Sequence, residues 1–241
     1  MSGVISGFIQ TQVSPTWFSV RRIVPKISIS PEEASSFLVR GQYGPGTIDG
    51  KQVKAYREEP GVAKDSHTET YAALKLFIDN WRWEGVPFYL RSGKRMAKRV
   101  TEIAIHFKRP PLLLFQACSV AQPSPNVLVI RIQPDEGISL TFEVKAPGTE
   151  ICVNSLSLDF SYRAAFGGGS PDAYETLLLD CMEGDSTLFT RHDWVELAWS
   201  LMTPLLKNRE DVELPIYKAG TWGPEAADLF IGEDDRRWRC P

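Results

Sequence analysis

The sequence predicts an α+β fold built on a large, mainly antiparallel sheet with helices packed on one face. Four segments between residues 100 and 161 alternate apolar and polar side chains with period two, the mark of strands with one wet face. Two later segments repeat apolar residues at helical spacing. Strands followed by helices, without alternation of the two, separate α+β from a doubly wound α/β fold. With 241 residues, 43% hydrophobic and 11% aromatic, the chain has the means to build a substantial core.

Residues 1–38 mix apolar, Ser and Pro residues without a sustained period and read as an N-terminal extension. The stretch GQYGPGTIDGKQ is punctuated by Gly44, Pro45, Gly46 and Gly50 and reads as turns. YAALKLFIDNWRWEG is ambiguous in period. Ala72, Leu74, Leu76 and Ile78 alternate as on a strand, although the composition would suit a helix. The NWRWEG and VPFYLRSG that follow look like a hairpin and favour the strand. Alternation is then clear. The apolar sets are Ile103, Ile105 and Phe107; Leu128, Ile130 and Ile132; Ile138, Leu140, Phe142 and Val144; and Leu156, Leu158 and Phe160.

Ser170 and Pro171 make a good N-cap and N1 pair. Tyr174, Leu177, Leu178, Cys181 and Met182 then fall on one helical face, as do Trp194, Leu197, Ala198, Leu201 and Met202 in a second helix starting near Thr190. Pro204 is expected to bend or end that helix. A Gly-rich loop and a short helix from Pro224 to Phe230 complete the chain.

Net charge is only −3, which argues against nucleic acid or an anionic membrane as the main partner. No apolar run approaches the ~18 residues of a membrane span. The start, MSGVISGFIQTQVSP, lacks the basic region of a signal peptide, so a cytoplasmic setting is expected. Cys118, Cys152, Cys181 and Cys240 show no CxxC pairing, which argues against a zinc site and a disulfide framework; Cys181 reads as a small core residue. His67, His106 and His192 form no constellation, so no metal site and no catalytic acid, base or nucleophile is expected.

One stretch does suggest chemistry. SGKRMAKR carries Lys94, Arg95, Lys98 and Arg99 between two strands. Lys and Arg together suit a phosphate, one a point charge and the other a planar fork. The alternative is a solvated loop whose charges only keep it soluble. Arg131 and Gln133 share one strand face and either complete a sugar or phosphate site or line an ordinary wet face. Gly167, Gly168 and Gly169 precede a helix but lack any nucleotide fingerprint spacing, and Ser170-Pro171 explains the helix start without a ligand. PPLLLF, residues 110–115, is either a lid on the core or a partner contact.

The runs DNWRWEGVPFYLRSGKRMAKRVTEIAI, NVLVIRIQPDEGISLTFEVKAPG, PDAYETLLLDCMEGDSTLFTR and AGTWGPEAADLF, with the Arg-Arg-Trp tail, occur in the order found in one family. Over residues 39–241 the chain resembles the C-terminal domain of glucose-6-phosphate dehydrogenases. The resemblance implies the family reaction, oxidation of glucose 6-phosphate to the 6-phosphogluconolactone with NADP at the first step of the pentose phosphate pathway. It implies dimerisation through the sheet, as a homo-oligomer or with a full-length enzyme. It also implies substrate contacts at Lys94, Arg99 and Gln133, so the partner anion would be a hexose phosphate, held weakly by this chain alone. The family's Gly-rich nucleotide turn and its general-base His have no counterpart here. Val100 and Ala104 stand where some members carry charges for a second, structural NADP. No cofactor is therefore expected to bind this chain alone. The function expected is the substrate-side, dimerising half of such a dehydrogenase, inactive by itself; the alternatives are a non-catalytic interaction module or a gene remnant.

Overall fold

The computed structural model describes residues 37–78, 80–108, 125–149, 153–168, 173–206 and 213–241. The extension 1–36, Ser170, Pro171, PPLLLF, Cys118 and Cys152 lie outside them. In chain order the elements are β1 (Leu38–Gly44), β2 (Gly46–Ile48), β3 (Lys51–Val53), β4 (Tyr71–Phe77), β5 (Pro87–Gly93), β6 (Thr101–His106), β7 (Val127–Gln133), β8 (Gly137–Lys145) and β9 (Val153–Ser161). There follow α1 (Tyr162–Phe166), α2 (Ala173–Glu183), α3 (His192–Leu206), β10 (Ile216–Lys218) and α4 (Glu225–Gly232). The α+β class with antiparallel sheets is what the alternation predicted. Among the described residues the strands divide into two four-stranded sheets and a two-stranded hairpin, where one large sheet was expected. The chain forms two compact units, one from the residues up to Lys98 together with Ser186–Pro241, the other Arg99–Asp185.

In the first unit the sheet order is β10-β1-β4-β5, with β10 parallel to β1 and the other pairs antiparallel. The hairpin that sequence suggested is the β4–β5 pair, which runs in register from Tyr71↔Gly93 to Phe77↔Pro87. Tyr43, Tyr71, Ala73 and Tyr217 form the core with Ala227 and Phe230 of α4. Ala227, Phe230 and Ile231 fall at i, i+3 and i+4, one helical face laid on the sheet. Burying a side chain such as Phe230 stabilises by roughly 1.5–3 kcal/mol.

The segment read as turns contains β1, whose last four residues are all buried. Buried Gln42 is satisfied there, its amide donating to the Ser66 and Thr68 carbonyls at 3.1 and 3.0 Å. The same segment holds the β2–β3 hairpin. It closes on Asp49 and Gly50, both at positive φ, as a two-residue primed turn requires.

In the second unit β6, β7, β8 and β9 form an antiparallel meander. The register puts Ile103, Ile130, Ile138 and Phe160 in one row and Ile105, Leu128, Leu140 and Leu158 in the next. Period-two alternation thus becomes one apolar face. The opposite face carries cross-strand bonds between register partners, Thr141–Ser157 at 2.7 Å and Ser155–Glu143 at 2.6 Å.

Helix cover differs from expectation. α4 packs on the first sheet, but α2 has no buried residue, and Tyr174, Leu178 and Met182 stand 75%, 64% and 78% exposed. Cys181, expected in the core, is exposed with them. A periodic stripe identifies the apolar side of a helix without identifying what lies against it. α3 continues to Leu206, two residues past Pro204, which falls in its last turn.

Candidate functional site

The basic connector begins where β5 ends. Gly93 is required there, since a Cβ would lie 2.8 Å from both the Tyr71 ring and the Met96 sulfur. The Lys94 backbone is then pinned at both ends. Its N–H donates to the Thr70 carbonyl at 2.8 Å, and its carbonyl accepts from the Tyr217 hydroxyl at 2.6 Å. That hydroxyl ends a chain that starts at the Tyr43 N–H. The N–H donates to Thr70 Oγ1 at 2.9 Å, and Oγ1 lies 3.2 Å from the Tyr217 oxygen. Burial raises the Tyr217 pKa to about 12, so the phenol stays protonated and able to donate at neutral pH. Tyr71 is also pushed up to about 12 by burial, which the nearby Arg91 charge partly offsets. Its hydroxyl has no hydrogen-bond partner among the described residues.

The four cations of the connector divide into two pairs. Arg95, in a left-handed backbone conformation at φ 54°, directs its guanidinium to Glu59 at 3.4 Å, and its carbonyl accepts from the Gly220 N–H at 2.8 Å. Lys98 donates to the Pro241 carbonyl at 2.7 Å. The side chains of Lys94 and Arg99 are exposed and have no hydrogen bond or ion pair among the described residues. Those are the two basic residues of the connector to which the resemblance gave a substrate role.

Gln133 ends β7 and pairs in register with Thr101, to whose Oγ1 its amide nitrogen donates at 3.0 Å. This fixes the amide and leaves its oxygen available as an acceptor. Thr101 follows Arg99 by two residues, so Arg99 and Gln133 belong to the same end of the β6–β7 pair in the second unit. Lys94 belongs to the first unit. Arg131, which shared a strand face with Gln133, is committed elsewhere. It bonds Asp159 at 2.9 Å and the Phe160 carbonyl at 3.2 Å. Gly137 makes room for it, because a Cβ there would stand 2.6 Å from the guanidinium and 2.3 Å from that carbonyl. A cross-strand tie, not an anion site, accounts for Arg131.

The C-terminal clamp was not foreseen from residue spacing. Arg91 of β5 lies between Trp222 and Trp238, 5.0 and 4.9 Å from the ring centres, and donates to the Arg239 carbonyl at 2.6 Å. The Trp238 indole donates to the Ala227 carbonyl at 2.8 Å. Residues 238–241 are thereby tied to β5, to α4 and, through Lys98, to the connector.

Gly167, at φ 70°, is the C-cap of α1, and its N–H donates back to the Arg163 carbonyl. Gly167 and Gly168 therefore follow the carbonyl end of that short helix. No three His, Cys, Asp or Glu side chains cluster as metal ligands among the described residues.

Comparison with known proteins places the chain in a family. The family model "Glucose-6-phosphate dehydrogenase, C-terminal domain" matches residues 18–239, which takes in part of the segment 1–38. The glucose-6-phosphate 1-dehydrogenase of Chlamydia pneumoniae is 49% identical over 239 residues, covering 95% of this chain and 47% of its own length. That of Aggregatibacter actinomycetemcomitans is 50% identical over 215 residues, covering 88% and 42%. The structure of a glucose-6-phosphate dehydrogenase in complex with its substrate glucose-6-phosphate superposes with a TM-score of 0.73 at 32% identity, over 86% of this chain and 42% of the other. The enzyme from Mycobacterium avium gives 0.69 at 36%, over 86% and 41%. The chain thus spans about half the length of the curated relatives it matches. With the family model matching most of its length, the chain belongs to the glucose-6-phosphate dehydrogenase C-terminal domain family.

Proposed function

We propose that this chain supplies the substrate side of a glucose-6-phosphate dehydrogenase and that Lys94, Arg99 and Gln133 are its contacts to the hexose phosphate. The observation that carries the reading is the division of the connector, in which Arg95 and Lys98 are engaged and Lys94 and Arg99 have no partner among the described residues. A cation left in solvent beside one held by a carboxylate is the better ligand for a phosphate, since it gives up no existing bond. The fixed amide of Gln133 suits a sugar hydroxyl. The working domain is residues 39–241, preceded by an extension, in a cytoplasmic protein that self-associates through its sheet.

The reaction is the family's NADP-dependent oxidation in the pentose phosphate pathway, and it requires a nucleotide-binding half beyond the residues described. Hydride transfer needs the nicotinamide and the sugar C1 held together with a base. No described residue fits those two roles. The purified chain with glucose 6-phosphate and NADP is therefore expected to form no NADPH.

The residue assignment is tested by ligand-observed NMR with glucose 6-phosphate at millimolar concentration and glucose as control. Lys94→Ala and Arg99→Ala should each weaken binding about tenfold, the loss of one charge-assisted bond. Lys98→Ala and Arg131→Ala should leave it within about twofold. Equal losses for all four variants would reduce the connector to a diffuse positive charge and defeat the assignment.

A further inference from the structure

We infer that the cleft between the β2–β3 hairpin and the basic connector is an anion site that takes a small polyphosphate. The inference goes beyond the sugar-phosphate reading, uses other side chains and does not depend on it.

The cleft has a volume of about 470 Å³, far more than a single phosphate fills. Its charged lining consists of Lys51 and Lys54, Arg95 of the connector, and the carboxylates Asp49 and Glu59. All of them belong to the first unit. Lys51 and Lys54 are exposed and have no hydrogen bond or ion pair among the described residues. The cleft is also preformed. Gly46 of β2 packs so closely that a Cβ there would lie 2.1 Å from the Ala219 carbonyl oxygen, and a Cβ on Gly220 would lie 2.2 Å from the Thr47 oxygen. The hairpin is thereby pressed onto the turn at residues 219–221. The same turn holds the connector. The Gly220 N–H donates to the Arg95 carbonyl at 2.8 Å, and the Thr221 carbonyl accepts from the Ala97 N–H at 3.0 Å. Both walls are fixed before any ligand arrives, which lowers the cost of binding.

Arg95 is the poised element. Its backbone sits at φ 54°, a left-handed conformation that residues other than glycine seldom adopt and that concentrates at ligand clamps. Its guanidinium meets Glu59 Oε1 at 3.4 Å, longer than the roughly 2.7–2.9 Å of a good charge-assisted bond. The same oxygen accepts from the Tyr43 hydroxyl at 3.2 Å. One carboxylate oxygen divided between two donors is a stand-in that a better anion displaces. A phosphate offers the guanidinium a two-pronged acceptor, and further phosphates reach the point charges of Lys51 and Lys54. With three cations facing two carboxylates, the attraction is modest, so the cleft favours a ligand of several charges over a single phosphate.

The test is titration of the isotope-labelled full chain with inorganic tripolyphosphate, followed by amide and arginine side-chain NMR at constant ionic strength. Saturable shifts are expected at the Gln52 and Val53 amides and at the Arg95 Nε–H, with inorganic phosphate binding about tenfold more weakly. Lys51→Ala and Lys54→Ala should each weaken tripolyphosphate about fivefold. Glu59→Gln should tighten it, because the amide still accepts from Tyr43 but no longer holds Arg95 by charge. Lys94→Ala should leave binding within about twofold, which separates this cleft from the hexose phosphate contacts. Lys145→Ala, in the second unit, should do the same. The spectra also report whether each variant folds. Shifts that rise linearly without saturating, a loss with Lys145→Ala equal to that with Lys54→Ala, or binding abolished by Lys94→Ala would each overturn the proposal.

Discussion

Two buried tyrosines of similar environment should respond oppositely to loss of their hydroxyl. Tyr217→Phe removes the donor to the Lys94 carbonyl at 2.6 Å and the contact to Thr70 Oγ1 at 3.2 Å, although Oγ1 keeps its bond from the Tyr43 N–H. Both groups remain in a site that the mutation does not open to water. Leaving a buried polar group unsatisfied costs about 1–3 kcal/mol. At roughly 2–4 °C per kcal/mol for a chain of this size, the transition of the first unit should fall by about 2–12 °C. Tyr71→Phe removes a hydroxyl that is already buried without a partner and leaves the ring against Tyr217 at 5.5 Å. It should be neutral or stabilise by up to about 1 kcal/mol. Urea and thermal unfolding of the parent and both variants measure the contrast. Exchange at the Lys94 amide adds a local readout, because its bond to the Thr70 carbonyl rests on the same network. Equal destabilisation by the two substitutions would mean that ring packing, not the hydrogen-bond chain from Tyr43 to Lys94, holds the connector in place.

The same tyrosines set an alkaline limit. An unfolded tyrosine loses its proton near pH 10, whereas Tyr71 and Tyr217 hold theirs to about pH 12 when folded. Their contribution is therefore complete below pH ~10 and is lost as pH rises through 12; urea midpoints taken across that range should fall steeply, and less so in the double phenylalanine variant. Gly93→Ala should destabilise the first unit by about 1–3 kcal/mol, because its Cβ meets Tyr71 and Met96 at 2.8 Å; a normal melt would show that the β5 end yields easily. Arg91→Lys keeps the charge but loses the planar fork between Trp222 and Trp238, so amides of residues 234–241 should exchange faster. Unchanged exchange there would place the hold on the tail in the Trp238 bond to Ala227 instead.

The second-unit sheet was legible because its residues obey one rule. Each of β6 to β9 has an apolar face, and the observed register aligns those faces into continuous rows. β1 obeys a different rule. Its neighbours approach so closely that a Cβ at Gly44 would lie 2.8 Å from Ile216, and its buried Gln42 is satisfied by carbonyls from a loop more than 20 residues away. Glycine and glutamine in series read as a turn when the sequence is taken locally, and as a tightly packed strand only when the partner is known. Helix cover failed for a related reason. α2 and α4 both show apolar residues at helical spacing, yet α4 buries Phe230 and Ile231 while Leu178 and Met182 of α2 stand open. Periodicity describes one surface; burial needs two.

The candidate site follows the same division between local and distant information. Four cations in one short connector were visible from the sequence, but their separation into engaged and unpartnered pairs was not. Arg95 is claimed by Glu59, 36 residues away, and Lys98 by Pro241, 143 residues away. Neither acceptor belongs to any motif near the connector. Lys94 and Arg99 match the family pattern by position, and among the described residues they have no hydrogen bond or ion pair, whereas Arg95 faces Glu59 and Lys98 a backbone carbonyl. Arg131 shows the converse. By sequence it was as good a ligand as Gln133, until the tie to Asp159 across two strands accounted for it. A positively charged residue in this fold is therefore best judged by what already holds it, which makes Arg95→Ala informative. If the 3.4 Å contact to Glu59 is all that keeps Arg95 from the ligand, then Glu59→Gln should release it and strengthen phosphate binding, and Arg95→Ala should not weaken it.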